Sequence, residues 1–287
     1  MIRQHDRIKT VVALSAIAAA LLVAGCGNSS SSGKAARANT VRAAYVSSSG
    51  AGYQIAIKVT GNAAGQTIKG TGTGAFDEAA HAGKLTMSVR RPALGGENLQ
   101  INAVILGQDV YLELPPSLAG KLSGGKPWIE LSLSEIGKSD GSRGLSSLPD
   151  YPGGDPAQLL RLMRSASTGS IQSLGRQTID GVSTTGQQAT IDLSKVVDTL
   201  PVSQQPSASS AIASIGRLTG LRYLPTEAWV DSANHARRIV LSETGHVGAQ
   251  PFSENVQLDF VKYGPEPVPA APPADEVTNI MALVAAG

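Results

Sequence analysis

Residues 53–59, Tyr53-Gln-Ile55-Ala-Ile57-Lys-Val59, decide the fold, because their large apolar side chains fall on every second position. A two-residue period sends successive side chains to opposite faces of an extended strand, so the run has one dry face and one wet one. The same alternation returns in Leu85-Thr-Met87-Ser-Val89, Leu99-Gln-Ile101-Asn-Ala103 and Val110-Tyr-Leu112-Glu-Leu114. Short strands at close spacing with turn residues between them describe an antiparallel meander, packed on one side and solvated on the other. KPWIEL adds a strand over 128–131. Further strands are expected in IQSLGRQTIDG, VSTTGQQATIDL, TEAWVD, ARRIVLSE and ENVQLDFVKY.

Helical signals interrupt this pattern. After a Gly/Ser-rich loop over 137–154, DPAQLLRLMRSAS opens with Asp155 as a cap and Pro156 at the first helical position, and Leu159, Leu160 and Met163 give it an apolar stripe. Two more helices are expected over 192–200 and 207–219, the second with Ile212, Ile215 and Leu218 at three-residue steps. Short helices are also expected at the end of KAARANTVRAAYVSS and in EVTNIMALV, which follows a Pro-rich segment at 264–274.

The N-terminus reads differently. MIRQHDRIK carries Arg3, Arg7 and Lys9 against Asp6, and an uncharged run, TVVALSAIAAALLVA, follows. Crossing a bilayer takes about 20 apolar residues, and this run is shorter. A basic start, a short apolar centre and small residues describe a secretory signal peptide over 1–25. Cys26, the only cysteine, comes next. A lone cysteine makes no internal disulfide and no multi-cysteine metal cage, which leaves its own reactivity or a modification as its use. Leu22-Val23-Ala24-Gly25-Cys26 resembles the bacterial lipobox, in which the cysteine receives a diacylglyceryl group and becomes the new N-terminus. The expectation is a chain lipid-anchored through diacylglyceryl-Cys26 on the extracytoplasmic face of the cell membrane. An ordinary signal peptide or a membrane anchor with an incidental cysteine is the alternative. Residues 26–39 form a flexible tether with a reach of about 20 Å, and 40–287 a single domain.

Without its first 25 residues the chain has as many basic as acidic side chains. That argues against nucleic acid as a partner and against electrostatic capture by anionic lipid. With 3 Phe, 6 Tyr and 2 Trp, extensive stacking platforms are not expected. GTGTG at 70–74 lacks the following helix that a phosphate-binding fingerprint needs, and fits a strand whose small residues let something lie close to the backbone. Gly137-Lys138-Ser139-Asp140-Gly141 matches the nucleophile-elbow spacing but sits in a loop, not between a strand and a helix. Outside the signal, His81, His235 and His246 are isolated turn residues without metal-ligand spacing. No catalytic residue, metal or cofactor is assigned.

KPWIELSLSEI, TIDGVSTTGQQATIDLSKVV, LPTEAWVDSANHARRIVLS and VQLDFVKYGPEPVPAAPPADEV, taken with the lipobox and the alternating strands, resemble the actinobacterial LppX/LprG-type lipoproteins, which are related in fold to the LolA/LolB lipoprotein carriers. The likeness runs over most of residues 34–287. It implies an α+β fold, a curved antiparallel β half-barrel with helices covering its concave face. It also implies an apolar cavity that holds the acyl chains of lipids or lipoglycans in transit, in a monomeric, non-catalytic carrier. The alternative is a non-transporting envelope lipoprotein that modulates a protein partner. On the carrier reading the cavity is lined by Ile55, Ile57, Val59, Leu85, Met87, Val89, Leu99, Ile101, Val110, Leu112, Leu114, Val256, Leu258 and Phe260 from the strands. Leu159, Met163, Val196, Ile212, Ile215 and Leu218 line it from the helices. An alternating apolar stripe is equally the mark of plain core.

Overall fold

The computed structural model describes residues 52–63, 65–90, 98–132, 156–203 and 205–279. Its strands are β1 (Tyr53–Ala63), β2 (Gln66–Asp77), β3 (Ala82–Arg90), β4 (Asn98–Leu106), β5 (Asp109–Glu113), β6 (Trp128–Ser132), β7 (Ser167–Ile179), β8 (Val182–Asp192), β9 (Tyr223–Asp231), β10 (Ala236–Val247), β11 (Gln250–Tyr263) and β12 (Val277–Asn279). All of them join one sheet in the order β12-β6-β5-β4-β3-β2-β1-β11-β10-β9-β8-β7. Two meanders spread from a central β1–β11 pair, and because β12 and β7 remain edges the sheet is open rather than a closed barrel. A sheet of this many strands twists and curls, and its dry face needs a cover.

Helices supply part of that cover: α1 (Pro116–Leu122), α2 (Pro156–Ser165), α3 (Leu193–Val196) and α4 (Gln205–Thr219). A 3-10 turn, Val197–Thr199, extends α3, whose N-terminus is capped by Asp192 accepting the Ser194 N–H at 3.0 Å. Helix α2 packs on β7 and β8, α3 on β8, and α4 on β10, with α3 touching both α2 and α4. The fold is thus the expected α+β arrangement of a large curved, mostly antiparallel sheet with few helices. Helix α1 is an addition; its signal was the pair Pro115-Pro116, which places a proline in the first turn.

Turn chemistry fixes the register of the second meander. Asp180 and Gly181 join β7 to β8 with positive φ at both positions, as a two-residue hairpin turn requires. The β9–β10 turn is built on Asp231, whose Oδ1 accepts the Ala233 and His235 N–H groups at 2.9 Å and whose Oδ2 accepts Arg237 Nε at 2.7 Å. Burial alone would push this carboxyl up, but the His235 N–H and the Arg237 guanidinium outweigh it and hold the pKa below the ordinary value. Asp231→Ala should cost roughly 1–3 kcal/mol of stability, because it removes three hydrogen bonds, one of them from a guanidinium, to a buried carboxylate. Urea unfolding checks this, and a loss below about 0.5 kcal/mol, typical of an ordinary surface change, would show the turn holds without it.

The C-terminal segment differs from expectation. Val277–Asn279, expected to begin a helix, is a strand pairing parallel with β6. Its β-branched residues suit a pleated edge. Side chains fix it there as well: Lys126 Nζ donates to the Val277 carbonyl at 2.9 Å and Thr278 Oγ1 to the Ser123 carbonyl at 3.0 Å. Residues 280–287, the signal at 1–25, Cys26, the tether, the helix expected in KAARANTVRAAYVSS and the Ser139 loop lie outside the described residues.

Candidate functional site

Strand register assembles the site. Residues directly opposite one another on neighbouring strands share a face, and four cross-strand rows follow from the pairings. One runs Val110–Ile105–Gly83–Phe76–Tyr53–Tyr263, and the next Leu112–Ala103–Leu85–Gly74–Ile55–Phe260. A third runs Ile101–Met87–Gly72–Ile57–Leu258–Ile239–Ala228, and the fourth Leu99–Val89–Gly70–Val59–Val256–Leu241–Thr226. Most of the strand residues named from the sequence therefore lie on one continuous face.

The cover over this face is uneven. Leu159, Leu160, Leu162, Met163 and the following Ala166 are buried against it, as is Val196 of α3. At the other side of the sheet Ile101, Val110 and Leu112 are only partly buried although they pack on the same core, and Leu99 is likewise half-covered. One expectation needs correction. Leu218 is 70 % exposed. Steps of three residues fall back by about 60° each on a helix, so the inward stripe of α4 runs instead through the buried Ala208 and the half-buried Ile212 and Ile215. Leu114 follows the end of β5: its N–H donates to the Pro127 carbonyl at 2.7 Å as the chain turns into α1, and its side chain packs with Ala119 and with Ile129, the cross-strand partner of Leu112, in a small cluster apart from the main core.

The GTGTG run lies in β2, and its glycines answer what comes close. A Cβ on Gly72 would stand 2.5 Å from the Thr86 carbonyl oxygen and 2.7 Å from Met87 Cγ, and one on Gly74 would stand 2.6 Å from the Phe76 ring. Side chains of the sheet itself fill the space. Phe76 also begins a string of rings: Tyr53 lies 5.3 Å from it, Phe260 5.6 Å from Tyr53, Tyr263 5.9 Å from Phe260 and His235 5.0 Å from Tyr263. Few aromatics are present, but Tyr53, Phe76, Phe260 and Tyr263 gather at one end of the face.

The opposite end is acidic. Glu243 and Glu254 are direct cross-strand partners on β10 and β11, on the same face as Leu241 and Val256, and are only 3 % and 6 % exposed. Burial pushes both carboxyls up to about 7, and for Glu243 the adjacent Glu254 adds to the effect. Neither has an ion-pair partner among the described residues, and Glu254 Oε1 is buried without a hydrogen bond. Glu254 also pairs with Gly61 of β1, so no side chain stands beside it there. Sequence reasoning passed over this pair, yet Ile239, Leu241 and Glu243 fall at two-residue steps in ARRIVLSE, which already puts the carboxyl on the dry side. The continuous run Ile239-Val240-Leu241 hid that alternation. From Tyr53 to Gly61 along β1 the rings and the carboxyls stand about 26 Å apart at a strand's rise per residue, with aliphatic rows between.

The three histidines sit apart, His81 in the β2–β3 turn, His235 in the β9–β10 turn and His246 near the end of β10. No family model and no curated protein matches the chain. Among solved structures it is similar to the lipoprotein LppX of Mycobacterium tuberculosis, with 16 % identity over 82 % of this chain and 97 % of that one, at a TM-score of 0.42. It is also similar to LprF of Mycobacterium bovis, with 14 % identity over 81 % and 95 % of the two chains and a TM-score of 0.42. These neighbours bear names of the kind the sequence resemblance gave.

Proposed function

We propose that this chain is a lipid-anchored envelope protein that binds the acyl chains of a lipid or lipoglycan between its sheet and helices α2–α4, and carries it without a chemical step. The observation that supports this is the single apolar face, sealed under α2 at one side and half-covered along β4 and β5 at the other. Hydrocarbon entering from the half-covered side would meet aliphatic side chains first, with the rings of Tyr53, Phe76 and Phe260 beyond them at one end. Burial gains about 0.8 kcal/mol per methylene, and leaving a bilayer costs about the same. Transfer is then nearly balanced, as a shuttle needs. Cys26 would hold the body near the bilayer that loads it. Among the described residues no helix is long and apolar enough to cross a membrane.

A second reading draws on the packing. Met163, Leu160 and Leu162 have no measurable exposure, and the glycine trough of β2 is filled by Met87 and Phe76. A closed interior suits an envelope protein that acts on a protein partner. Native mass spectrometry after incubation with envelope lipids separates the two. The carrier should acquire discrete lipid adducts, reduced at least about tenfold by Leu112→Arg, while that half-buried change costs no more than about 1–2 kcal/mol of stability. A mass that stays free of lipid would sink the carrier reading.

A further inference from the structure

We propose that Glu243 and Glu254 form a head-group subsite for an amphiphile bearing a positively charged amine. The inference rests on the carrier reading and narrows its cargo. Two carboxyls placed directly opposite each other repel when ionised, and burial in apolar surroundings makes each costlier still. Such a pair is costly to keep on a face built mainly of apolar side chains.

Three features point to a ligand. Glu254 Oε1 lacks any hydrogen-bond partner while its residue is more than nine-tenths buried on the lining face. Gly61 opposite it leaves that flank without a side chain. The end of α4 also closes over the adjoining stretch of β10, since a Cβ on Gly245 would meet the Thr219 carbonyl oxygen. That helix end carries the negative pole of its dipole. Carboxylates accept hydrogen bonds and donate none. The subsite therefore favours a group that donates hydrogen bonds and brings positive charge. A primary ammonium does both, whereas a carboxylate or phosphate head would add a further negative charge. The head then rests at the acidic end while the tail follows the aliphatic rows toward the rings of Tyr53 and Phe76. An ammonium seated between the two carboxyls replaces their mutual repulsion with two charge-assisted hydrogen bonds.

The test uses three probes of equal chain length at pH 7.5: dodecylamine, dodecanol and laurate, each competed against a fluorescent apolar reporter bound to the purified protein. The amine should bind about tenfold or more tighter than the alcohol and tighter again than laurate, a difference of one decade for each 1.4 kcal/mol. Glu243→Gln/Glu254→Gln should bring the three within about threefold of one another, the size of context effects that need no charge selection. The wild-type order decides the matter even where the double variant folds poorly, and the single Glu254→Gln variant should shrink the gap part-way. Equal binding of all three probes, or an amine preference that survives both substitutions, overturns the subsite and leaves the carrier reading standing. Failure of every probe to displace the reporter overturns both.

Discussion

Raising the pH from 4.5 to 7.5 should weaken this fold by several kcal/mol, against the usual behaviour of proteins whose carboxylates are paired. Glu243 and Glu254 have pKa values pushed to about 7 in the folded chain, against an ordinary 4.5. In the unfolded chain they lose their protons near pH 4.5. Between these values the folded state binds more protons, so stability is fully present below about pH 4.5 and is lost as pH rises through about 7. At about 1.4 kcal/mol per unit, each group accounts for about 3 kcal/mol, and repulsion between neighbours makes the sum a property of the pair. Asp231 and Glu266, both held below the ordinary value, act with the opposite sign, but their contribution is lost only at lower pH. Urea unfolding at pH 4.5, 6 and 7.5 measures the slope, and Glu243→Gln/Glu254→Gln should flatten it. Stability that rises through this window in the wild-type protein would mean that the pair is solvated or partnered.

Phe76→Ala should cost about 3–5 kcal/mol, because it removes a fully buried ring and the surroundings collapse only partly. Phe76 is 1 % exposed, contacts the Tyr53 ring, and lies over Gly74. Gly74→Ala in the wild-type protein sets a methyl 2.6 Å from that ring, with Ile55 Cγ1 at 3.2 Å. Overpacking of this kind costs about 1–3 kcal/mol. In the Phe76→Ala background the ring is gone and the new methyl occupies part of the cavity, so the same substitution should be neutral or stabilising. The double-mutant cycle should thus show a coupling of about 1–3 kcal/mol, where independent sites would add within about 0.5. Additive losses would mean that ring and glycine do not meet.

Much of the sheet was legible because its strands keep a two-residue period: Ile55, Ile57 and Val59 could be assigned to one face before any partner strand was known. What joins them was not legible. No local pattern says that Tyr53 pairs with Tyr263 or that β12 returns to β6, since such pairings depend on the whole assembly. The buried flank of α4 was misplaced at Leu218 because three-residue steps imitate a helical stripe over one turn and drift off it over two. The acidic pair was missed for another reason. Glutamate is ordinarily a surface residue, and although the two-residue step from Leu241 puts Glu243 on the dry side, only the β10–β11 register brings Glu254 opposite it.

The central β1–β11 pair also dictates how the molecule can be assembled. Tyr53 and Tyr263 meet only when the chain between them is present, so the first meander waits with the β11-facing side of β1 unpaired until nearly the last strand arrives. Contacts so distant in sequence close slowly, and an unsatisfied strand edge recruits other chains while it waits. Refolding should therefore be slow and increasingly inefficient as concentration rises, because the open side of β1 can pair with another chain before β11 follows it.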